Sequence, residues 1–276
     1  MTLRHRIGGY CEYAPAAGAP RFCEAFWTHR TPPGPVADGA AHRVLPDPAV
    51  SVAFWCLGRD RRGVPLDRGM LLTGAKTRPH VFPLTPGLEL AAIRLKIEWV
   101  APILGIEPGA TYDRDVDFAT MRPAFAARLV DALWATRSPA EALPILARTL
   151  AAGRVSRAEP APAATAALDL VRRSAGRVPC ERVADRVGVS MRHLRRQITD
   201  AAGVSAKSYG RQLRLVRAIT LADRQAHADW AAIAADCGYC DQSHLIRECA
   251  ALAGFTPTDL HRERQLQRVS ERSNTA

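Results

Sequence analysis

The fold of the second half of the chain is decided by residues 183–194, VADRVGVSMRHL, and by a second copy of the same pattern at 233–245, IAADCGYCDQSHL. Both copies contain an apolar pair, a glycine, a polar capping residue and a leucine, and the second copy is longer after the glycine. Ser190 and Asp241 are the capping residues, because their side-chain oxygens accept hydrogen bonds from the first turn of a helix. Each copy therefore predicts a short helix, a tight glycine turn and a second helix, which is a helix-turn-helix unit.

A helix-turn-helix unit places its second helix in the major groove of DNA. Between the two copies, residues 206–224 predict a connecting helix with one stripe formed by Tyr209, Leu213, Val216 and Thr220. At 1.5 Å per residue this helix is about 28 Å long, and successive major grooves on one face of DNA are about 34 Å apart. The repeat therefore predicts that one chain reads two successive major grooves.

Over roughly residues 166–266 the sequence resembles the AraC/XylS family of bacterial transcription regulators. The resemblance depends on blocks that occur in the family's order and spacing, namely 183–185, 188–196, 214–218, 233–239, 243–247 and 254–257. It implies a sequence-specific DNA-binding transcription regulator that is not an enzyme and needs no cofactor. Double-stranded DNA is the implied partner, and RNA polymerase, a small-molecule effector and a second copy of the chain are candidate partners.

The resemblance also implies which side chains contact the bases. The expected residues are Arg192, Arg195 and Arg196 in the first recognition helix and Gln242, Ser243, Ile246 and Arg247 in the second. Their chemistry fits this role, since arginine pairs with guanine, glutamine with adenine, and an apolar side chain meets the thymine methyl group. The alternative is that they form solvated helix faces without a role in recognition. Two departures from the family pattern, Cys249 for an aromatic residue and Ala250 for a basic one, predict that the second unit is the weaker reader.

The first half of the chain predicts an N-terminal domain that is rich in β-strands up to about residue 118. Residues 50–57 form a compact apolar run, and residues 93–97 alternate apolar and cationic side chains as a half-buried strand does. Ser138, followed by proline and then by Glu141, predicts the start of a helix that extends to Gly153.

The predicted fold class is α+β, with a β-rich N-terminal domain that also contains helices and an all-α C-terminal domain with two helix-turn-helix units. The resemblance suggests a cupin-like barrel for the N-terminal domain. The predicted division is 1–152 as an effector-binding or dimerisation domain, 153–164 as a linker, 165–267 as the DNA-binding domain and 268–276 as a disordered tail. The sequence does not identify which residues of the N-terminal domain bind a ligand.

Composition and charge support a polyanionic partner and a cytoplasmic location. The net charge is +11, which favours binding to nucleic acid. No apolar stretch approaches the ~20 residues that span a bilayer, so no membrane partner is expected. The basic start of the chain is not followed by the apolar segment of a signal peptide. We therefore expect a cytoplasmic protein that associates with the nucleoid through DNA.

The seven cysteines are scattered without a disulfide framework, which fits a reducing compartment. Cys237 and Cys240 form a C-x-x-C across a helix turn, which favours packing over redox or metal sensing. His29, His42 and His80 are isolated in the sequence and predict no metal site, and no catalytic motif is present. Two alternatives stay open: a thiol- or metal-responsive regulator that uses the N-terminal cysteines, and a DNA-alkylation repair enzyme fused to the same module.

Overall fold

The apolar runs of the N-terminal half build antiparallel β-sheet. The structure, a computed structural model, describes residues 1–7, 9–35 and 41–273, and for 267–273 it describes the backbone alone. The strands in this part of the chain are β1 (Thr2–Ile7), β2 (Tyr10–Ala14), β3 (Cys23–Arg30), β4 (Ala41–Val44), β5 (Val50–Arg59), β6 (Pro65–Thr73), β7 (His80–Pro83), β8 (Leu88–Leu95) and β9 (Asp115–Asp117). They form a seven-stranded sheet in the order β1-β2-β3-β8-β5-β6-β9 and a separate two-stranded ribbon of β4 and β7.

The most apolar strands lie at the centre of the large sheet, where both of their faces are covered. In β5, Val52 and Ala53 point to opposite faces and both are fully buried. In β8, Ile93 and Leu95 are buried, whereas Arg94 points to the other face. The strand predicted at 50–57 is confirmed. The strand predicted at 93–97 is confirmed only in part: β8 begins earlier, at Leu88, because its first residues pair with β3 and β5, and it ends at Leu95, so that Ile97 begins a 3-10 turn instead.

The N-terminal domain differs from a closed barrel. Strands β1 and β9 form the two edges of the sheet and are not paired with each other in the part of the chain that the structure describes. The domain also becomes helical earlier than predicted: 3-10 turns at Ile97–Trp99 and Pro108–Thr111 flank α1 (Val100–Leu104). Gly105, with a φ of 73°, ends α1 in the left-handed conformation that favours glycine. The predicted order of a β-rich N-terminal region followed by a helical C-terminal region is confirmed.

Ten further helices follow among the described residues. They are α2 (Phe118–Met121), α3 (Pro123–Leu133), α4 (Pro139–Ala152), α5 (Pro162–Arg173), α6 (Cys180–Val187), α7 (Met191–Ala202), α8 (Ala206–Ala222), α9 (Trp230–Asp236), α10 (Gln242–Ala253) and α11 (Pro257–Ser273). Helix α4 has the predicted limits, since the Ser138 hydroxyl accepts a hydrogen bond from the Glu141 amide at 3.3 Å and Gly153 is the C-cap.

Two predicted boundaries differ from the structure. Helix α5 begins at Pro162, inside the predicted linker 153–164, because proline suits the first turn of a helix, where its missing N–H is not needed. Helix α11 continues to Ser273, so the backbone of 268–273 is helical where a disordered tail was predicted. That segment contains neither proline nor glycine, and nothing in it ends the helix. Residues 274–276 lie outside the described part.

The two halves of the chain share one hydrophobic core on the side of α5–α7. The buried cluster under the sheet continues through α3 and α4 to apolar residues of α5, α6 and α7. At this boundary the fully buried carboxylate of Glu98 accepts two hydrogen bonds from Arg172, at 2.6 and 2.8 Å. The hydroxyl of Tyr112 also donates to the carbonyl of Ala202 at 2.7 Å. The start of the helical region is therefore fixed to the N-terminal domain.

A second contact joins the N-terminal domain to the end of the helical region. Leu45, which follows β4, packs into the cluster formed by Leu215, Cys249 and Leu260. Beside it the guanidinium of Arg43 donates to both carboxylate oxygens of Glu263, at 3.0 and 3.1 Å. The helical region is thus held at both ends.

We predict that Glu98→Ala lowers the free energy of unfolding by about 3 kcal/mol, because it removes the buried carboxylate that pairs with the nearly buried Arg172 and leaves this charge with the partly exposed Asp169 and the Tyr209 hydroxyl. Denaturant unfolding monitored by circular dichroism measures this change. The control is Glu159→Ala, which removes the exposed pair with Arg21 and should cost no more than about 1 kcal/mol. Equal effects of the two substitutions would contradict the role assigned to Glu98.

Candidate nucleic-acid interface

The first helix-turn-helix unit consists of α6 and α7. Gly188, with a φ of 75°, ends α6 in the left-handed conformation and turns the chain. The hydroxyl of Ser190 then caps α7 by accepting a hydrogen bond from the His193 amide at 3.2 Å. Val183 and Leu194 are buried in the core of the unit. Each helix therefore has one apolar face, and the two helices pack together through these faces as predicted.

The second unit consists of α9 and α10 and repeats this arrangement. Gly238 also has a φ of 75°, and the carboxylate of Asp241 caps α10 by accepting from the His244 amide at 2.6 Å. The longer turn of this copy contains Tyr239, which is buried against the core of the unit. Cys249 is also fully buried. The predicted duplication of the helix-turn-helix is confirmed in the described structure.

All seven side chains that were predicted to contact bases are exposed on the second helix of their unit. Those of α7 are Arg192, Arg195 and Arg196, and those of α10 are Gln242, Ser243, Ile246 and Arg247. The apolar side chain of Ile246 is exposed as well, with 37% of its surface accessible. The side chains that face inward on the same helices, Leu194 and Leu245, are buried. The geometry leaves base contact available to all seven, and their role in reading DNA stays a prediction.

Helix α8 connects the two units and fixes the second one. Its 17 residues span about 26 Å. It ends at Ala222, two residues before the predicted end, and the next residue, Asp223, is buried. On α8, Arg211 donates through Nε and Nη2 to the two carboxylate oxygens of Glu248 in α10, at 2.6 and 2.9 Å. This two-point contact restricts rotation of α10 relative to α8.

The cysteines favour packing over reactivity. Burial raises the pKa of Cys249 to about 12, that of Cys23 to about 12 and that of Cys56 to about 11. Burial also raises the pKa of Cys237, whose partner in the C-x-x-C motif, Cys240, is exposed. The thiolate is the reactive form of cysteine, so these buried thiols are poor nucleophiles and poor metal ligands near pH 7.

The described residues contain neither a cluster of metal-binding side chains nor a helix suited to span a membrane. In these residues no three or more His, Cys, Asp or Glu side chains are grouped as a metal ion would require. None of the described helices has both the length and the apolar composition needed to cross a membrane.

A cavity of about 790 Å³ lies between the large sheet, the β4–β7 ribbon and α8. Inside it, His29 and His42, which are far apart in the sequence, approach to 5.6 Å between ring centroids. Burial lowers the pKa of His29 to about 4 and that of His42 to about 3, and both rings are therefore neutral near pH 7. The sequence does not reveal this pair, because their two strands belong to different sheets.

The rest of the cavity wall combines aromatic, apolar and charged groups from both halves of the chain. The ring centroids of Tyr10 and Trp27 lie 5.7 Å apart. The guanidinium of Arg94 donates a hydrogen bond to the carboxylate of Asp47 at 2.5 Å. The wall contributed by the helical region contains Val216, Ile219 and Thr220 of α8, together with Arg224 and Arg264. The stripe of α8 that the sequence predicted therefore serves two purposes: Tyr209 is core, whereas Val216 and Thr220 line the cavity.

Comparison with known proteins gives a match at the helical region. Residues 183–263 match the family model described as a helix-turn-helix domain, which is of the AraC type. No curated protein matches the chain.

Solved structures of similar arrangement include the C-terminal domain of AraT, a response regulator from Geobacillus stearothermophilus, with 24% identity, 38% of this chain and 87% of that chain covered, and a TM-score of 0.36. A second such structure is a transcriptional regulator with an AraC-type DNA-binding domain from Chromobacterium violaceum. It is 26% identical, the match covers 37% of this chain and 92% of that chain, and the TM-score is 0.34. ToxT from Vibrio cholerae O395 has 9% identity, coverage of 93% and 98%, and a TM-score of 0.45.

We predict that iodoacetamide at pH 8 labels Cys240 in the native protein and leaves Cys23, Cys56, Cys237 and Cys249 unlabelled, because burial protects these four and raises their pKa values. Mass spectrometry of the digested protein identifies the labelled sites. The denatured protein, in which every thiol is accessible, is the control. A disulfide between Cys237 and Cys240 under mild oxidant would contradict the packing role of Cys237.

Proposed function

We propose that this chain, a DNA-binding transcription regulator with an AraC-type helix-turn-helix domain at residues 183–263, binds specific DNA sequences by placing α7 and α10 in two successive major grooves. The observation that carries the proposal is the duplicated unit with exposed polar side chains on both second helices. A helix of about 26 Å between the units is compatible with the spacing of grooves along one face of DNA, about 34 Å.

In this proposal the base-contacting side chains of α7 bind one half-site and those of α10 bind the other. Arg192 and Arg195 contact guanines through O6 and N7, and Gln242 contacts an adenine. Ile246 meets a thymine methyl group, for which its exposure on α10 provides support. Residues 165–267 form the DNA-binding domain and residues 1–152 the regulatory domain, and RNA polymerase and a second copy of the chain are further partners of such a regulator.

We also propose that a small molecule with an apolar or aromatic body binds in the cavity and regulates DNA binding. The cavity has the size of a ligand site, and its wall includes aromatic side chains such as Tyr10 and Trp27. Because Val216 and Thr220 of α8 form part of the wall, a bound molecule would contact the helix that connects the two units. A ligand that prefers one position of α8 shifts the chain toward that position.

The proposed function requires binding alone and no chemical step by the chain. A repair enzyme that accepts an alkyl group needs a reactive thiolate, and a thiol-responsive regulator needs one as well. Cys23 and Cys56 of the N-terminal domain are buried, with pKa values raised to about 12 and about 11. Cys11, the third cysteine of this domain, is half-exposed, so this observation argues only against Cys23 and Cys56 as the reactive group.

We predict that Arg195→Ala weakens binding to the preferred DNA sequence by about 1–3 kcal/mol and relaxes the preference at one base pair. The measurement is a competition assay with a duplex selected from a random-sequence library by the wild-type protein. Arg148→Ala, which removes an exposed arginine of α4 in the N-terminal domain, is the matched control and should leave the preference unchanged. An equal loss on selected and random DNA would reduce Arg195 to a phosphate contact.

We predict that the cavity takes up 1-anilinonaphthalene-8-sulfonate, a fluorescent probe for apolar sites, and that Leu90→Trp blocks this uptake. Leu90 lines the cavity, so a larger side chain there fills the space that the probe needs. Leu66→Trp is the control, because Leu66 is 70% exposed and lies outside the cavity. Saturable fluorescence that both variants retain would show that the probe binds elsewhere and would contradict a ligand site in this cavity.

A further inference from the structure

Helix α8 carries three arginines at intervals of three residues: Arg211, Arg214 and Arg217. The charge of Arg211 is neutralised by its contact with Glu248. In the part of the chain that the structure describes, neither Arg214 nor Arg217 has a carboxylate within ion-pair distance. The buried Nε atoms of both arginines also have no hydrogen-bond partner there. Neither side chain therefore forms a direct ion pair in the described part of the chain, although the charge of Arg214 helps to lower the pKa of Glu248 and Arg217 interacts with the Cys237 thiol.

Arg214 lies close to residues of both helix-turn-helix units. Its guanidinium lies over the ring of Tyr239 in the second unit, 5.6 Å from the centroid. Towards the first unit, burial and the nearby charge of Glu181 raise the pKa of the Cys180 thiol, whereas the charges of Arg195 and Arg214 lower it. Arg214 thus contacts the second unit and lies on the side of α8 close to Cys180 of the first unit.

The side of α8 that carries Arg214 faces away from the N-terminal domain. Val216, which lines the cavity, follows Arg214 by two residues, and two residues correspond to a rotation of about 200° around an α-helix. The N-terminal domain therefore covers one side of α8, and Arg214 lies close to the opposite side. Arg217 follows Arg214 by about one turn, and both are half-buried rather than covered.

We infer that Arg214 and Arg217 bind the phosphate backbone of DNA where it passes between the two major grooves read by α7 and α10. This inference rests on the proposed function. Two arginines of the connecting helix that form no direct ion pair supply charge complementary to phosphates. Contacts of this kind position the protein on DNA without reading the bases.

The test measures the salt dependence of binding to a random-sequence duplex of about 40 base pairs, which exceeds two helical turns. Loss of one phosphate contact reduces the slope of log K against log salt concentration by about 0.9. Arg214→Gln and Arg217→Gln should each produce this reduction and should weaken binding to selected and random duplexes by the same factor. Arg214→Lys, which keeps the charge, should retain the wild-type slope.

The matched control is Arg148→Gln, which removes an exposed arginine of α4 outside the helix-turn-helix units and should leave the slope unchanged. Circular dichroism establishes that each variant is folded, and Arg217→Gln supplies an independent measurement if Arg214→Gln is unfolded. Unchanged slopes in folded Gln variants would overturn the inference. Failure of the wild-type protein to bind any duplex would instead contradict the proposed function itself.

Discussion

The packing of α8 between the two helix-turn-helix units is the constraint on which the rest of the structure depends. One side of this helix is buried with the core, as Tyr209 and Leu215 show. A second contact, the pair between Arg211 and Glu248, fixes α10. Since the chain that links the two recognition helices passes through α8, α9 and the turns beside them, this packing determines the separation and orientation of α7 and α10. The spacing of the DNA sites that the protein reads follows from it.

In the proposed function the same helix joins the cavity to the DNA-binding surface. Val216 and Thr220 contribute to the cavity wall, whereas Arg214 lies near the opposite side of the helix. The N-terminal domain contacts the helical region at two further places, through Glu98 with Arg172 and through Arg43 with Glu263. A ligand that moves α8 must therefore work against packed and ion-paired contacts.

The sequence predicts the helical region well, because its signals are local. Glycine turns at Gly188 and Gly238 and capping oxygens at Ser190 and Asp241 determine the backbone within a few residues. Helical periodicity also predicts which positions of α7 and α10 are exposed. These signals could be read without knowing any contact between distant parts of the chain.

The cavity and the interdomain contacts could not be predicted, because they join residues far apart in the sequence. His29 and His42 lie on strands of different sheets, and their approach depends on how the ribbon folds over the large sheet. Arg43 and Glu263 are separated by 220 positions. Periodicity placed Val216 on a stripe of α8 but could not tell a core contact from a cavity wall. Only the assembled fold distinguishes these two surroundings.

The central claim is that one chain reads two successive major grooves through a fixed connecting helix. Methylation-interference mapping of a duplex selected by the wild-type protein tests it most directly, because methylated guanine N7 blocks contacts in the major groove. The account predicts two clusters of interfering guanines on one face of the duplex, about 10 base pairs apart from centre to centre. A single cluster, or two clusters on opposite faces of the duplex, would contradict it.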